Sequence, residues 1–326
     1  MEETMRITQR LAHSCFIVAT LLSAGAVVAQ DYPNRPIRLV VPSSPGTSPD
    51  LTSRIIAPEL SKQLGQPVIV ENKAGADMIL GFEYVAKLVP ADGYTISAAV
   101  ASNLIMLPLT TTGLRFDPLT DLPPFMGFAE ARLVLTSSAS VPWKSFDEMI
   151  VQARANPGKF NYGASSPNIR LMMEVLLRRL NLNVVYIPYS AGAAYVQSLA
   201  AGNDIQLGFV SDTLVVNLGD KVRAIAITGD KRFAKLPSAP TLGELGYPKM
   251  PGLSFSLNAR AGTPAPIVQR LYAAASRSMQ QPEVRALFEK VNLVPMDESP
   301  EAAGRTFAEQ AAFFSEIAKQ VGIKPN

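Results

Sequence analysis

Apolar and polar positions along residues 30–326 fall into two alternating rhythms. Short β-branched runs, beginning with Ile37-Arg38-Leu39-Val40-Val41, are each followed by a stretch with helical spacing, the first over residues 50–64. A short apolar run predicts a buried strand, and a 3.6-residue period predicts an amphipathic helix. The pattern repeats with Val68-Ile69-Val70, a helix over 80–88 and a strand over 94–99. Three such strand-helix units predict a parallel sheet. Residues 108–124, rich in Pro, Thr and Gly, read as a connecting excursion.

Alternation restarts at Arg132-Leu133-Val134-Leu135-Thr136. Beyond it the spacing predicts helices over 145–155 and 168–180 and one ending at 201, with strands over 160–163, 184–187, 205–210 and 222–228. Gly and Pro thicken over 236–251, and a strand over 253–257 leads into a largely helical end. The last helix, 299 to about 321, places Phe307, Ala311, Phe314 and Ile317 at core spacing. The expected organisation is α/β with two domains, one formed by 30–129 plus 251–326 and the other by 130–250.

Residues 1–29 do not belong to this pattern. Arg6 and Arg10 precede an apolar stretch that closes with Val27-Val28-Ala29 before the polar Gln30. A basic start, an apolar middle and small residues at the end predict a cleavable signal peptide, cut near Ala29, in preference to a membrane anchor. Its removal takes away the only histidine, His13, and the only cysteine, Cys15. The remaining chain then has no disulfide, thiol nucleophile, His-based triad or Cys/His zinc site. No cofactor is expected, since phosphate-loop, dinucleotide, serine-elbow and EF-hand patterns are all lacking, and no metal site is expected either. With 48% hydrophobic and 17% charged residues the chain is globular, and a formal charge of +3 does not point to nucleic acid.

Two helix starts resemble each other. Ser43-Ser44-Pro45-Gly46-Thr47-Ser48-Pro49-Asp50 follows the first strand, and Gly163-Ala164-Ser165-Ser166-Pro167-Asn168-Ile169-Arg170 follows the strand over 160–163. In each, Ser48 or Ser166 is a candidate N-cap with proline at the first helical position. A strand-to-helix turn at the carboxyl edge of a parallel sheet presents free N–H groups and the positive end of the helix dipole, which together can hold an anion. One such turn alone reads as an ordinary capped helix. Two, one per domain, can meet a single ligand in a cleft. Asp50 partly satisfies the first dipole, so the turn of Ala164, Ser165, Ser166, Asn168 and Arg170 is the expected carboxylate receptor. Arg170 either faces the ligand or lies solvated on its helix. A third loop, 72–78, brings Asp77 toward the same edge, as a ligand contact or as a turn-former beside Gly75. Ser211 and Asp212, after the strand over 205–210, carry the same two readings. Tyr189 and Tyr195 either stack on a ligand or pack.

Several segments carry a family resemblance over nearly all of residues 30–326. They include Tyr32-Pro33-Asn34-Arg35-Pro36-Ile37-Arg38-Leu39-Val40-Val41-Pro42, Leu64-Gly65-Gln66-Pro67-Val68, Val70-Glu71-Asn72-Lys73, Ala91-Asp92-Gly93-Tyr94-Thr95, Asn156-Pro157-Gly158-Lys159 and Ala261-Gly262-Thr263-Pro264. The sequence resembles the periplasmic substrate-binding proteins of tripartite tricarboxylate transporters, the Bug family. The resemblance implies a type II periplasmic-binding-protein-like (Venus flytrap) fold, with two Rossmann-like domains joined by a hinge. It also implies a periplasmic monomer that holds a small organic acid, often a carboxylate, in the interdomain cleft, with the membrane permease subunits of the transporter as partners. Its ligand loops map to 43–50 and 164–170.

This chain departs from the family pattern at Ser43, where an aromatic is usual, at Thr47, where a second glycine is usual, and at Asp77-Met78, where Gly-Gly is usual. The turn after Tyr162 is two residues shorter, and Arg170 stands in place of a histidine. These changes imply a pocket more polar at one end. Two other readings use the same residues: a ligand-loaded partner of a sensor kinase, and an enzyme working through Lys, Tyr or carboxylate chemistry.

Overall fold

A computed structural model describes residues 32–322 except Asp77, Ser165, Ser166, Ser190, Ala191, Asp230, Lys231, Pro248, Lys249 and Asn292. The expected signal peptide therefore lies outside the described residues.

The strand β1 (Ile37–Val41) pairs in parallel with β2 (Val68–Asn72) and with β3 (Thr95–Val100), in register Leu39↔Val70 and Leu39↔Ile96. Ile37, Leu39, Val40 and Val41 are all fully buried. Helices cover both faces of this sheet, which is why the run is apolar apart from the half-buried Arg38 and shows no regular alternation. The helix α1 (Ser48–Leu64) returns from β1 to β2 and buries Ile56, Ala57, Leu60 and Leu64 at helical spacing. It ends at Gly65, whose φ of 73° takes the left-handed cap conformation and lets its N–H reach the Ser61 carbonyl. A short helix α2 (Ile79–Glu83) continues as a π-turn over Tyr84–Leu88.

Three further elements correct the expected outline. A helix α3 (Ala101–Thr110) follows β3 without a linker, and strand β4 (Pro124–Ala131) occupies the end of the expected excursion and beyond. Strand β11 (Val294–Glu298) interrupts the helical end. The first sheet has the order β11-β4-β10-β3-β1-β2, in which β10 (Leu253–Ala259) runs antiparallel to β3 and β4. It is therefore mixed, because β10 enters from the opposite end after the chain has left to build a second sheet.

That second sheet has the order β7-β6-β8-β5-β9. Its strands are β5 (Leu133–Ser138), β6 (Asn161–Ala164), β7 (Val185–Pro188), β8 (Leu207–Ser211) and β9 (Val222–Ile227). Strand β6 is parallel to β7 and β8, whereas β5 is antiparallel to β8 and β9. The connecting helices are α4 (Phe146–Ala155), α5 (Pro167–Arg179), α6 (Gly192–Ala201) and α7 (Asp212–Leu218). Trp143 is fully buried, with its ring edge-on to Phe160 at 4.6 Å, and packs as a core residue. Tyr195 lies across Gly163 and Gly208 and donates to the Phe209 carbonyl at 2.8 Å, so of its two readings the packing one holds.

The helices α8 (Ala265–Met279) and α9 (Pro282–Lys290) close the core of the first sheet around Leu39, Leu60, Leu271 and Phe288. The last helix, α10 (Pro300–Val321), starts where Ser299 caps the Ala302 N–H. It packs on β4 and α3 of one domain and on α5 of the other. Phe307, Phe314 and Ile317 are buried there in an apolar cluster that also contains Leu104, Ile105, Ile169 and Met172. No helix among the described residues is long and apolar enough to cross a membrane.

Candidate functional site

Strands β1, β2 and β3 run parallel, so the turns that follow them share one sheet edge. The turns after β6 and β8 likewise share an edge of the second sheet. The turn after β1 is held by its own side chains. The Thr47 hydroxyl donates to the Ser44 carbonyl at 2.8 Å, so the 2.7 Å contact between the Ser43 and Thr47 hydroxyls has Ser43 as donor. Thr47, not Ser48, takes the N-cap position, and neither side chain caps the helix. The expected Ser48 cap is displaced because Pro49 falls at the second helical position.

Asp50 is buried and spends its carboxylate inside the turn. It accepts from the Gly46 N–H at 2.9 Å, from the Asn72 amide at 2.9 Å and from Arg54 Nε at 3.0 and 3.1 Å. The same Asn72 amide donates to the Ser43 carbonyl at 3.0 Å, which ties the end of β2 to the turn after β1. Burial by itself would raise the Asp50 pKa. The hydrogen bonds from Arg54, Gly46 and Asn72 and the Arg54 charge outweigh it and hold the carboxyl below its ordinary range. Asp50 thus shapes the turn, with Ser43, Ser44, Thr47 and Ser48 around it.

The loop after β2 is drawn close by Gly81, where a Cβ would meet Pro42 Cβ at 2.6 Å and the Lys73 carbonyl at 2.7 Å. Asp77 lies outside the described residues. Its neighbour Met78 adopts a φ of 75° and receives a contact from the Asn103 amide at its sulfur, 3.4 Å.

Asn103 belongs to the first turn of α3, and so does Ser102. Ser102 accepts a 3.2 Å hydrogen bond from the side-chain amide of Asn168, in the first turn of α5. This contact sets the edge after β3 directly against the edge after β6. Ser102 and Asn103 were not among the sequence candidates. Their signal was a Ser-Asn pair directly after the apolar run of β3. Ala164 is the buried last residue of β6, and Ser165 and Ser166 lie outside the described residues.

Neither α3 nor α5 has an acidic residue in its first turn, whereas α1 has Asp50. Their N-terminal dipoles are therefore the less neutralised ones at this junction.

The remaining candidates lie differently. The Arg170 guanidinium is taken by Glu174 at 2.7 Å and rests over the Tyr186 ring at 4.4 Å. Tyr189 is half-buried and hydrogen-bonded to Ser198 at 2.6 Å, with its ring against Tyr195. Ser211 ends β8, and the buried Asp212 faces Arg132 Nη1 at 4.0 Å beside the β4–β5 crossing. A separate cavity of about 570 Å³ opens at the β4 and β11 side, where Glu130, Arg132, Met250, Met296, Glu309 and Phe313 line it. With two carboxylates against one guanidinium it suits an anion less well than the helix starts do. Among the described residues no group of three or more His, Cys, Asp or Glu could hold a metal ion.

Comparison with known proteins gives consistent findings. A UPF0065 protein from the gbd 5' region of Cupriavidus necator is 36% identical over 301 residues, 90% of each chain. Protein BugT of Bordetella pertussis is 30% identical over 329 residues, 98% of this chain and 99% of that one. An R. palustris protein solved with adipate superposes with a TM-score of 0.75 at 28% identity, over 91% of this chain and all of that one. The two-sheet architecture is that of the periplasmic binding proteins. The profile described as "Tripartite tricarboxylate transporter family receptor" matches residues 52–323, and the chain belongs to that family.

Proposed function

We propose that this chain is a periplasmic receptor that captures a small organic acid between its two domains, 30–129 plus 251–326 and 130–250, and hands it to the membrane permease of a tripartite tricarboxylate-type system. The observation that carries this reading is the Asn168–Ser102 contact, which faces two helix starts from different sheets toward each other. A carboxylate placed there meets backbone N–H groups and hydroxyls from both sides, with both helix dipoles favourable. The grip is formed by the turn of Ser43, Ser44, Thr47 and Ser48, by Ser102, and by Ala164, Ser165, Ser166 and Asn168. Tyr189, Ser211 and Asp212 are assigned to its border, and the sequence adds Asp77 as a further candidate.

Binding is by closure. The ligand contacts both halves, and that differential contact is what shifts the hinge equilibrium. The acid leaves as it entered, with no bond made or broken. A relative solved with adipate supports an organic acid as the guest.

A thermal-shift screen against mono-, di- and aromatic carboxylates tests the proposal. A ligand at 100 times its Kd stabilises the folded chain by about 2.7 kcal/mol, so at least one acid is expected to raise the melting temperature by several degrees. A panel without any stabilising acid, or one that the protein consumes, overturns it.

A further inference from the structure

We propose that the cavity of about 570 Å³ behind the two strand crossings is a second binding site, for a small organic ammonium ion with an apolar body. Its place sets it apart from the proposed carboxylate site. In the first sheet the crossing strands β4 and β10 stand between β11, which contributes Met296 to the cavity, and β3 and β1, which lead into Ser102 and the turn of residues 43–48. In the second sheet Gly229 lies just beyond the edge strand β9, whereas Asn168 lies beyond β6, on the other side of β5. The two sites flank the crossings from opposite sides, so an occupant of one leaves the other open.

The walls combine charge with apolar surface. The helix α10 carries two stripes. Phe307, Phe314 and Ile317 enter the core, while Thr306, Glu309, Gln310 and Phe313, also at helical spacing, line the cavity. The Thr306 hydroxyl donates to Glu298 of β11 at 3.0 Å, and the Gln310 amide meets the Ser254 hydroxyl of β10 at 3.1 Å, which fixes this second stripe in place. Glu130 lies over the second crossing at Gly252, where a Cβ would stand 2.5 Å from Glu130 Oε1. Arg132 reaches toward the second sheet, with Nη1 at 4.0 Å from the buried Asp212 carboxylate and its guanidinium over the Phe233 ring at 5.6 Å.

Asp212 thus offsets the Arg132 charge, and among the described lining residues Glu130 and Glu309 leave the cavity negative. A cation is the charge it favours. Met250, Met296 and Phe313 add thioethers and an aromatic ring, surfaces that adapt to an apolar chain and attract an ammonium group placed over the ring.

Titration calorimetry of the purified chain with phenethylammonium chloride tests the site. A Kd of about 1 mM or tighter is expected, with the uncharged 2-phenylethanol, of the same shape, bound about tenfold more weakly. Glu309→Gln, at an exposed position of α10, is expected to weaken the ammonium about threefold, and the double change Glu130→Gln, Glu309→Gln about tenfold. Absence of binding, equal binding of ammonium and alcohol, or an ammonium affinity that neither variant changes overturns the proposal. Should circular dichroism show the doubly substituted chain unfolded, the alcohol comparison and Glu309→Gln alone decide. Because the probe is a cation, the result is separate from that of the carboxylate screen. An acid that stabilises a chain to which the ammonium does not bind strikes the cavity site and leaves the receptor reading standing, and the reverse result does the opposite.

Discussion

Asp50, at the first turn of α1, accepts a 2.9 Å hydrogen bond from the side-chain amide of Asn72, the last residue of β2. Through this pair and the Asn72 bond to the Ser43 carbonyl, one buried carboxylate shapes the turn that borders the proposed site. Asp50→Ala leaves the Gly46 N–H without its side-chain acceptor and takes from the Asn72 amide and from Arg54 one acceptor each, while the Ser43 carbonyl and Asn72 Oδ1 remain to them. The expected loss is about 2 kcal/mol or more in urea unfolding, against about 1 kcal/mol for Asn72→Ala, because an unsatisfied buried donor costs about 1–3 kcal/mol. An Asp50→Ala chain as stable as the parent would show that the turn does not depend on it.

Stability is expected to fall in acid, and Asp50 and Glu71 set part of the range. Burial would raise both pKa values, but bonds from Arg54, Gly46 and Asn72 in one case, and from Lys73 and Arg38 in the other, hold both below their ordinary values of 3.8 and 4.5. A carboxyl depressed in the folded state contributes fully above its unfolded pKa and loses that contribution as pH falls through the folded one. The melting temperature is therefore expected to hold down to about pH 5 and then decline. Asp50→Asn is expected to flatten the decline below about pH 4, and an unchanged slope would contradict the assignment.

Gly81 lets α2 approach the turn after β1. An alanine there brings its Cβ to 2.7 Å from both the Lys73 carbonyl and Pro42 Cα, which are backbone atoms that cannot swing aside. Gly81→Ala is expected to cost about 1–3 kcal/mol and to weaken binding of any stabilising acid, because Pro42 leads into Ser43. Chemical denaturation and calorimetry on the same variant check both parts.

Arg170 belongs to the turn expected to receive a carboxylate, with its side chain either facing the ligand or solvated on its helix; its guanidinium meets Glu174 and the Tyr186 ring, and the side chain is 47% exposed. Arg170→Ala is accordingly expected to change ligand affinity by less than about threefold, the scale of an exposed ion pair. A tenfold or larger loss in titration calorimetry would return Arg170 to the site.

Strand and helix positions were legible wherever a single period ran uninterrupted between breakers. The last helix is the clearest case, with Ser299 and Pro300 at its start, Phe307, Phe314 and Ile317 on one face and Gly322 at its end. Strand β4 was not legible. It begins at Pro124, includes Gly127 and lies buried between β10 and β11, so neither alternation nor turn residues frame it. Strand β11 includes Pro295 at the sheet edge, which reads as a breaker. Helix α3 was hidden because it grows directly from β3. Residues 95–107 form one largely apolar run in which no breaker marks the change of period.

The same cause hid Ser102. The turn of residues 43–50 and the helix start at Pro167 were legible because proline and serine punctuate them. The partners of Asp50 and Arg170 were not, since Asn72 is distant in sequence and the pairing of Arg170 with Glu174 is a matter of rotamer.

The most direct test of the receptor account is a crystal structure with the best-stabilising acid bound. It is expected to place a carboxylate within about 3 Å of donors from both helix starts, the turn of residues 43–48 or Ser102 on one side and residues 164–168 on the other. An acid seated instead among Glu130, Arg132 and Phe313, or touching one domain only, would contradict it.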